Sequence, residues 1–306
     1  IPSCDWISDV CSSDLYSRKP HCGTTRIATQ RHNRSTSNTR RTTVWLTGIM
    51  ACLLLAVVVS GMFLDPDRIA THPEMRNQAP SLEYWFGTDW LGRDMFVRTI
   101  KGLSLSMQVG LLAASSSTLL AVIIGVSSGL LGKTIDRLLT WLIDLFLSVP
   151  HLVTLMLIAF ACGGGLQGVV IGIALTHWPT LARVIRAEVL QVRSADYVQI
   201  SRRFGKSRWW IATRHMLPHL LPQIVVGFLL MFPHAILHEA SITFLGLGLS
   251  PDEPAIGIIL HEAMQYLSTG LWWRAIFPGL GLVMIVRAFA VLGDRLRMMW
   301  DTGRMP

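Results

Sequence analysis

Two pairs of histidines stand at the i, i+4 spacing of a helix face, His215 with His219 and His234 with His238. Such a pair holds a transition metal when both imidazoles face the same way. Neither pair carries the His-Glu-x-x-His arrangement that would add a general base. Position 235 is Ala235, and His261-Glu262 lacks a second histidine four residues on. His215 and His219 straddle Pro218 and read as residues of a membrane interface. His234 and His238 lie near the outer end of an apolar run, where a solute could pass. No metal site is expected from either pair. Asp144 lies inside another apolar run, and an acid there is costly unless it faces a cavity or a partner. It reads either as a pathway residue or as a bridge between helices. Gly132-Lys133-Thr134 mimics the end of a phosphate-binding loop, but Ser127 stands where the first glycine is required and no strand precedes it. Five cysteines, at positions 4, 11, 22, 52 and 162, form no close metal-ligand pair, and Cys52 and Cys162 read as packing residues. No nucleophile-and-base pair and no metal triad emerges, so neither a catalytic residue nor a cofactor is expected.

The elements that carry these residues are too apolar for a soluble domain. Of 306 residues, 51% are hydrophobic and only 15% are charged. A net charge of +8 would suit a nucleic-acid partner, but its placement argues against one. Seven of the 27 Lys and Arg fall between Tyr16 and Arg41, and eight between Arg183 and His215. Membrane proteins collect such residues on the cytoplasmic side, so the charge reads as topology. No nucleic-acid-binding module is visible.

Residues 44–64 form an uncharged run of 21, and a helix needs about 20 to cross the hydrocarbon core. The run is too long for a signal peptide and others follow it. Further spans are predicted over 103–131, 138–161, 166–186, 220–237 and from Phe277 onward. The second is rich in small residues, among them Ser104, Gly110, Ala113, Gly125 and Gly129, which let helix backbones approach closely. The third contains Pro150, which frees a carbonyl and kinks the helix. Gly163-Gly164-Gly165 makes a short outer turn. Arg287 lies in the last run with no assignable partner. Six spans put both termini, the loop at Lys133 and the charged island near Gly205 on one side, together with 20 of the 27 Lys and Arg. The fold class expected is therefore all-α, a polytopic membrane bundle of six transmembrane helices.

Ahead of the first span, residues 1–15 resemble, with one mismatch, the translation of a common sequencing-adapter oligonucleotide, and they are set aside as a cloning scar would be. Residues 16–43 are polar and basic and are expected to be a disordered cytoplasmic tail. Residues 65–101 are an extracytoplasmic segment, in which Asp89, Arg93 and Asp94 can brace one another. The bundle proper covers 102–298, and 299–306 is a cytoplasmic tail.

The island at 195–218 organises the rest. Asp196 to Arg202 can form a short helix, Gly205 can take a left-handed turn without steric cost, and a second short helix of about 207–216 is expected to end at Pro218. This pattern resembles the cytoplasmic coupling loop of the permeases of ABC importers, with Gly205 at the loop glycine and Leu217-Pro218 at the closing Leu-Pro. Gln199-Ile200-Ser201 stands where that family has Glu-Ala-Ala or a near relative. Trp178-Pro179-Thr180-Leu181-Ala182-Arg183, Gly87-Thr88-Asp89 with Gly92-Arg93-Asp94, and Glu239-Ala240 with Phe244-Leu245-Gly246-Leu247-Gly248 resemble the peptide and nickel branch of the family. So do Asp144 with Ser148-Val149-Pro150, and Gly293-Asp294-Arg295-Leu296-Arg297.

The resemblance implies a permease subunit without an ATPase site of its own, in the bacterial cytoplasmic (inner) membrane, with both termini cytoplasmic. It implies a second homologous permease subunit, cytoplasmic ATPase subunits and an extracytoplasmic solute-binding protein as partners, besides membrane lipid. Peptides or nickel and other metal chelates are the implied cargo. Tyr197, Gln199, Phe204, Gly205 and Arg208 are expected at the ATPase contact, with Asp144, His234 and His238 on the pathway. A membrane receptor or scaffold is the rival reading, but it gives no reason for a two-helix protrusion with a glycine hinge. Single cysteines introduced at Asn77 and at Ser207 are expected to react with membrane-impermeant reagents from opposite sides. Labelling of both from one side would sink the six-span topology.

Overall fold

A computed structural model describes residues 26–64 and 69–302 of the chain, and its side chains over 45–64 and 69–298. Ten helices follow one another among the described residues, with a single isolated bridge between Thr88 and Asp94 as the only β pairing. Five helices are long and apolar enough to cross a membrane, and a bent pair brings the number to six where it counts as one span. The all-helical architecture is the one the apolar runs predict.

Helix α1 covers Arg26–Phe63, and its membrane-length part is Trp45–Phe63. Residues 26–43, expected to be disordered, are therefore helical. Neither glycine nor proline occurs between Arg26 and Thr47, so nothing stops a helix once the apolar run has nucleated it. The adapter-like residues 1–15, and 16–25 after them, lie outside the described residues. Cys52 on α1 and Cys162 are both exposed, not packed inside. In a membrane protein an apolar side chain gains nothing by facing inward, since lipid is as apolar as the interior.

Helix α2 (Met95–Leu130) and helix α5 (Gly165–Ser194) form the central pair. A Cβ on Gly125 would lie 2.8 Å from the Ile185 side chain and 2.9 Å from the Ala182 carbonyl oxygen. That closeness is the reason small residues line α2.

Between them the chain runs through α3 (Lys133–Ser148) and α4 (His151–Ala161), which meet at 98°. The run expected as the third span is thus not one straight helix. Proline forces the residue before it out of the helical region, and Val149 accordingly sits at φ −92°, ψ 142°. Pro150 then starts α4, its carbonyl accepting from the Thr154 amide.

After α5 come two short helices, α6 (Asp196–Arg203) and α7 (Arg208–Ile211). The expected stop at Pro218 does not occur. A π turn over Ala212–Met216 joins α7 to α8 (Leu217–Phe244), so that Arg208–Phe244 is one helix of 37 residues. Pro218 follows directly on the π turn, in which the Leu217 amide donates to the Ala212 carbonyl, and the wider turn absorbs the change of register ahead of the residue that has no N–H. Helix α9 (Ile256–Tyr266), which the sequence pattern left unassigned, and α10 (Trp273–Thr302) complete the bundle.

An ion-pair network ties the segment before α2 to α9. Asp89, fully buried, receives Arg93 Nε at 2.6 Å and Arg98 Nη1 at 3.0 Å, while its other oxygen accepts from the amides of Leu91 and Arg93. Arg98 Nη2 donates to Glu262 Oε1 at 2.9 Å. Asp94 instead caps α2, accepting from the amides of Phe96 and Val97. The bracing read from the sequence is thus joined by Arg98 and Glu262, 164 residues apart.

Removing Glu262 would leave the guanidinium of Arg98, only 2% exposed, with Asp89 as its remaining carboxylate. Breaking a buried pair this way costs about 3–5 kcal/mol, and with Asp89 still in place Glu262→Ala is expected near the lower end. Arg183→Ala breaks an Asp144 pair that protein leaves more than half uncovered, and it should cost less than Glu262→Ala. Thermal unfolding of the two variants in detergent checks the contrast, and equal losses would contradict it.

Candidate functional site

Two features of the bundle have no structural necessity, a protruding apolar surface at one end and a cavity between helices. The protrusion is built on α6 and α7. Ala195, at φ −65° and ψ 142°, breaks the chain out of α5, and Val198 is buried, pinning α6 against the bundle. Gly205 has φ +75° with no heavy atom within 4 Å of where a Cβ would sit. The left-handed turn expected there is present, and it is required by the backbone and not by crowding. Ser207 caps α7 by accepting from the Trp210 amide at 3.1 Å. His215, from the π turn, holds the two helices together. Its Nε2 lies 3.0 Å from Ser201 Oγ, and its ring meets the edges of Tyr197 and Trp210.

What this scaffold presents is unusual for a charged loop. Phe204 is 80% exposed and Trp209 78%, with Tyr197 and Ile200 also exposed beside them. Gln199 and Arg208 are exposed as well, and the Gln199 amide donates to the Ser194 carbonyl at 3.0 Å. All five residues predicted for the contact lie together on this protrusion. Trp209 was missed, although its position beside Trp210 in a basic stretch was a usable signal. Next to α6 lies a basic cleft of about 690 Å³, walled by Lys133, Arg193, Arg202 and Arg203. Exposed aromatic groups beside cations form the mixture that protein interfaces favour.

Behind the protrusion, α5 is tied to its neighbours through arginines. Arg186 Nη2 donates to Asp136 Oδ2 at 2.8 Å, and Arg193 Nη1 donates to the Gly129 carbonyl at 2.8 Å near the end of α2. Arg183 Nη2 donates to Asp144 Oδ1 at 2.6 Å. Asp144 is thus a bridge between α3 and α5, which was the plainer of its two sequence readings.

The cavity, of about 560 Å³, runs along α8 from Gln223 to His238 and is walled on its other sides by α3, α4 and α5, with Arg297 of α10 also on its lining. His234 and His238, one turn apart, both line it, as the sequence suggested. Asp144 does not. His151, the first residue of α4, and His177 of α5 meet His238 at the end of the cavity farthest from the protrusion. Neither of these two was singled out from the sequence. They are isolated histidines on separate helices, and only the break at Pro150 brings them together. The other histidine pair serves structure: His219 Nε2 lies 3.5 Å from Glu188 Oε1, and His215 clasps the loop.

Comparisons with known proteins agree with this geometry. The chain is 34% identical over 254 residues to the dipeptide transport system permease protein DppC of Bacillus subtilis, covering 82% of this chain and 79% of that one. It is 36% identical over 259 residues to a putative peptide permease protein of Brucella suis, covering 83% and 84%. In fold, it resembles a chain in a solved structure of the MetNI methionine ABC transporter in inward facing conformations, with a TM-score of 0.55 at 17% identity, over 67% of this chain and 97% of that one. Residues 121–301, which include the bent helix pair, the protrusion and the whole lining of the cavity, match the family described as binding-protein-dependent transport system inner membrane component, and to that family the chain belongs.

Proposed function

We propose that the chain forms half of the transmembrane path of an ATP-driven importer and docks its ATPase subunits through the protrusion at 195–218. The observation that carries this reading is the exposed apolar knob of Tyr197, Ile200, Phe204 and Trp209 on two short helices hinged at Gly205. Aromatic side chains held out in water cost free energy unless a partner covers them. The basic cleft beside α6 suits acidic groups on that partner. The cavity along α8 supplies the passage. It is walled by a single subunit, and a second homologous permease subunit would face it.

In this reading the protrusion end is cytoplasmic, both termini lie on that side of the inner membrane, and a solute-binding protein delivers cargo at the opposite face. The chain hydrolyses nothing. ATP-bound partners bias a two-state bundle between inward-open and outward-open forms through their differential contacts with the protrusion. Relatives named for peptides and dipeptides, and the size of the cavity, support a small polar cargo of the peptide or metal-chelate class.

Gly205→Val tests the coupling role. A β-branched residue at φ +75° is strained by about 1–3 kcal/mol. The bundle does not depend on this turn, so insertion and abundance should be normal. Phe204 and Trp209 would be re-aimed, and ATPase copurification and solute uptake should both be lost. Arg208→Glu should weaken copurification in a salt-dependent way, since an exposed charge pair is screened over about 10 Å at 0.1 M salt. Normal copurification with normal uptake in Gly205→Val would make the loop a plain connector.

A further inference from the structure

The far end of the cavity holds a group of side chains that coupling and packing leave without a task. His151, His177 and His238 come from α4, α5 and α8, and each offers a ring nitrogen within 4.8 Å of the other two. Their ring centroids are 4.5, 4.6 and 5.0 Å apart. Three imidazoles could gather merely as aromatic rings, but His177 argues otherwise. Its Nδ1 lies 3.0 Å from the Ile173 carbonyl oxygen, which can only accept, so Nδ1 carries the proton. Nε2 is then left with its lone pair, and it is buried with no hydrogen-bond partner. A buried polar atom left unpaired is unfavourable, and native structures avoid it unless something else occupies the place. Metal-bound histidines have this arrangement, one nitrogen donating to a backbone carbonyl and the other turned to the ion.

We infer that His151, His177 and His238 form a binding site for a divalent transition-metal ion of the nickel, cobalt, copper or zinc class. Imidazole suits these ions, whereas magnesium and calcium require oxygen ligands, and the cavity wall contains no carboxylate. Ligand bonds of about 2.0–2.1 Å require nitrogens roughly 3–3.4 Å apart, so rings whose nitrogens lie within 4.8 Å of one another close by at most about 1.8 Å. His151 can move most easily, being the half-buried first residue of a helix just after a break. Three protein ligands leave coordination positions open to water or to the donors of a chelator, as a site must if it is to release its ion. His234 lines the same cavity one turn along α8 toward the protrusion and offers a further imidazole in that direction. This inference rests on the importer reading for its use: the ion is cargo in transit, arriving bare or chelated.

Metal binding can be measured on the full-length chain in detergent, purified without a histidine tag and titrated calorimetrically with NiCl₂ alone. One Ni²⁺ per chain is expected. Affinity should fall tenfold or more in His177→Ala and in His151→Ala, and stay unchanged in His219→Ala, which lies outside the cluster. The His151→Ala variant guards against misfolding of the more buried His177→Ala. Absence of binding, or affinity in both cluster variants equal to that of the unsubstituted chain, overturns the site.

In cells carrying the whole importer, nickel accumulation is then compared with NiCl₂ alone and with excess glycine as chelator. A severalfold fall in His177→Ala under either condition supports cargo passage and shows which form is carried, and unchanged accumulation under both overturns it. Copurification of the ATPase is independent of the titration. Its failure would remove the importer reading while leaving a measured metal site in place.

Discussion

The close approach of α2 and α5 is the constraint on which the rest of the bundle depends. In lipid no hydrophobic force drives helices together, so contact must come from backbone proximity and polar ties. Gly125 against Ile185 supplies the first, and the arginines of α5 supply the second at the protrusion end. With that pair fixed, α3, α4 and α8 pack around it. The cavity is the space left where α3 and α4 turn away from each other at 98°.

Proline decides where this space contains reactive groups. Pro150 precedes His151, Pro179 follows His177 by two residues, and Pro233 precedes His234. Each proline removes a backbone donor and leaves a carbonyl that a regular helix would have used. Irregular backbone at membrane depth is tolerated where it borders a cavity or is covered by protein, and the chain neighbours Val149, His151, Thr180 and His234 of the three prolines line this one. The same irregularity that opens the wall therefore brings imidazoles from three helices to one point.

Much of the fold could be read from the sequence because the membrane allows few answers. Apolar runs of about 20 residues must be helices there, and the small residues of α2 announced its close packing. The protrusion was legible through Gly205, whose φ of +75° is the conformation that glycine alone adopts cheaply. What escaped was long-range. Glu262 pairs with Arg98 from 164 residues away, and no local pattern marks either. His151 and His177 have no periodic relation to His238, so spacing drew attention to the wrong pairs. The continuation of α7 into α8 was hidden by Pro218, since a proline in a first turn and one at a helix end look alike in sequence.

That continuation bears on how the two functional features act on each other. Arg208–Phe244 is one helix of 37 residues, which at 1.5 Å per residue spans about 55 Å. Trp209 stands at its start, and His234 and His238 stand close to its other end. A partner that grips the protrusion therefore holds one end of the element that forms a wall of the cavity. No flexible loop intervenes to absorb the movement, although the π turn at Ala212–Met216 is a place where the helix can change register. His151, by contrast, sits on α4 and is joined to α3 through the break at Val149 and Pro150. Displacing α8 as a unit would thus part His238 from His151 while leaving His177 seated on α5 among its own hydrogen bonds. Under the proposed two-state switch, a cluster assembled from three helices would be closed in one state of the bundle and open in the other. Coupling then requires no signal passed across a loop, because part of the docking surface and one ligand belong to the same helix.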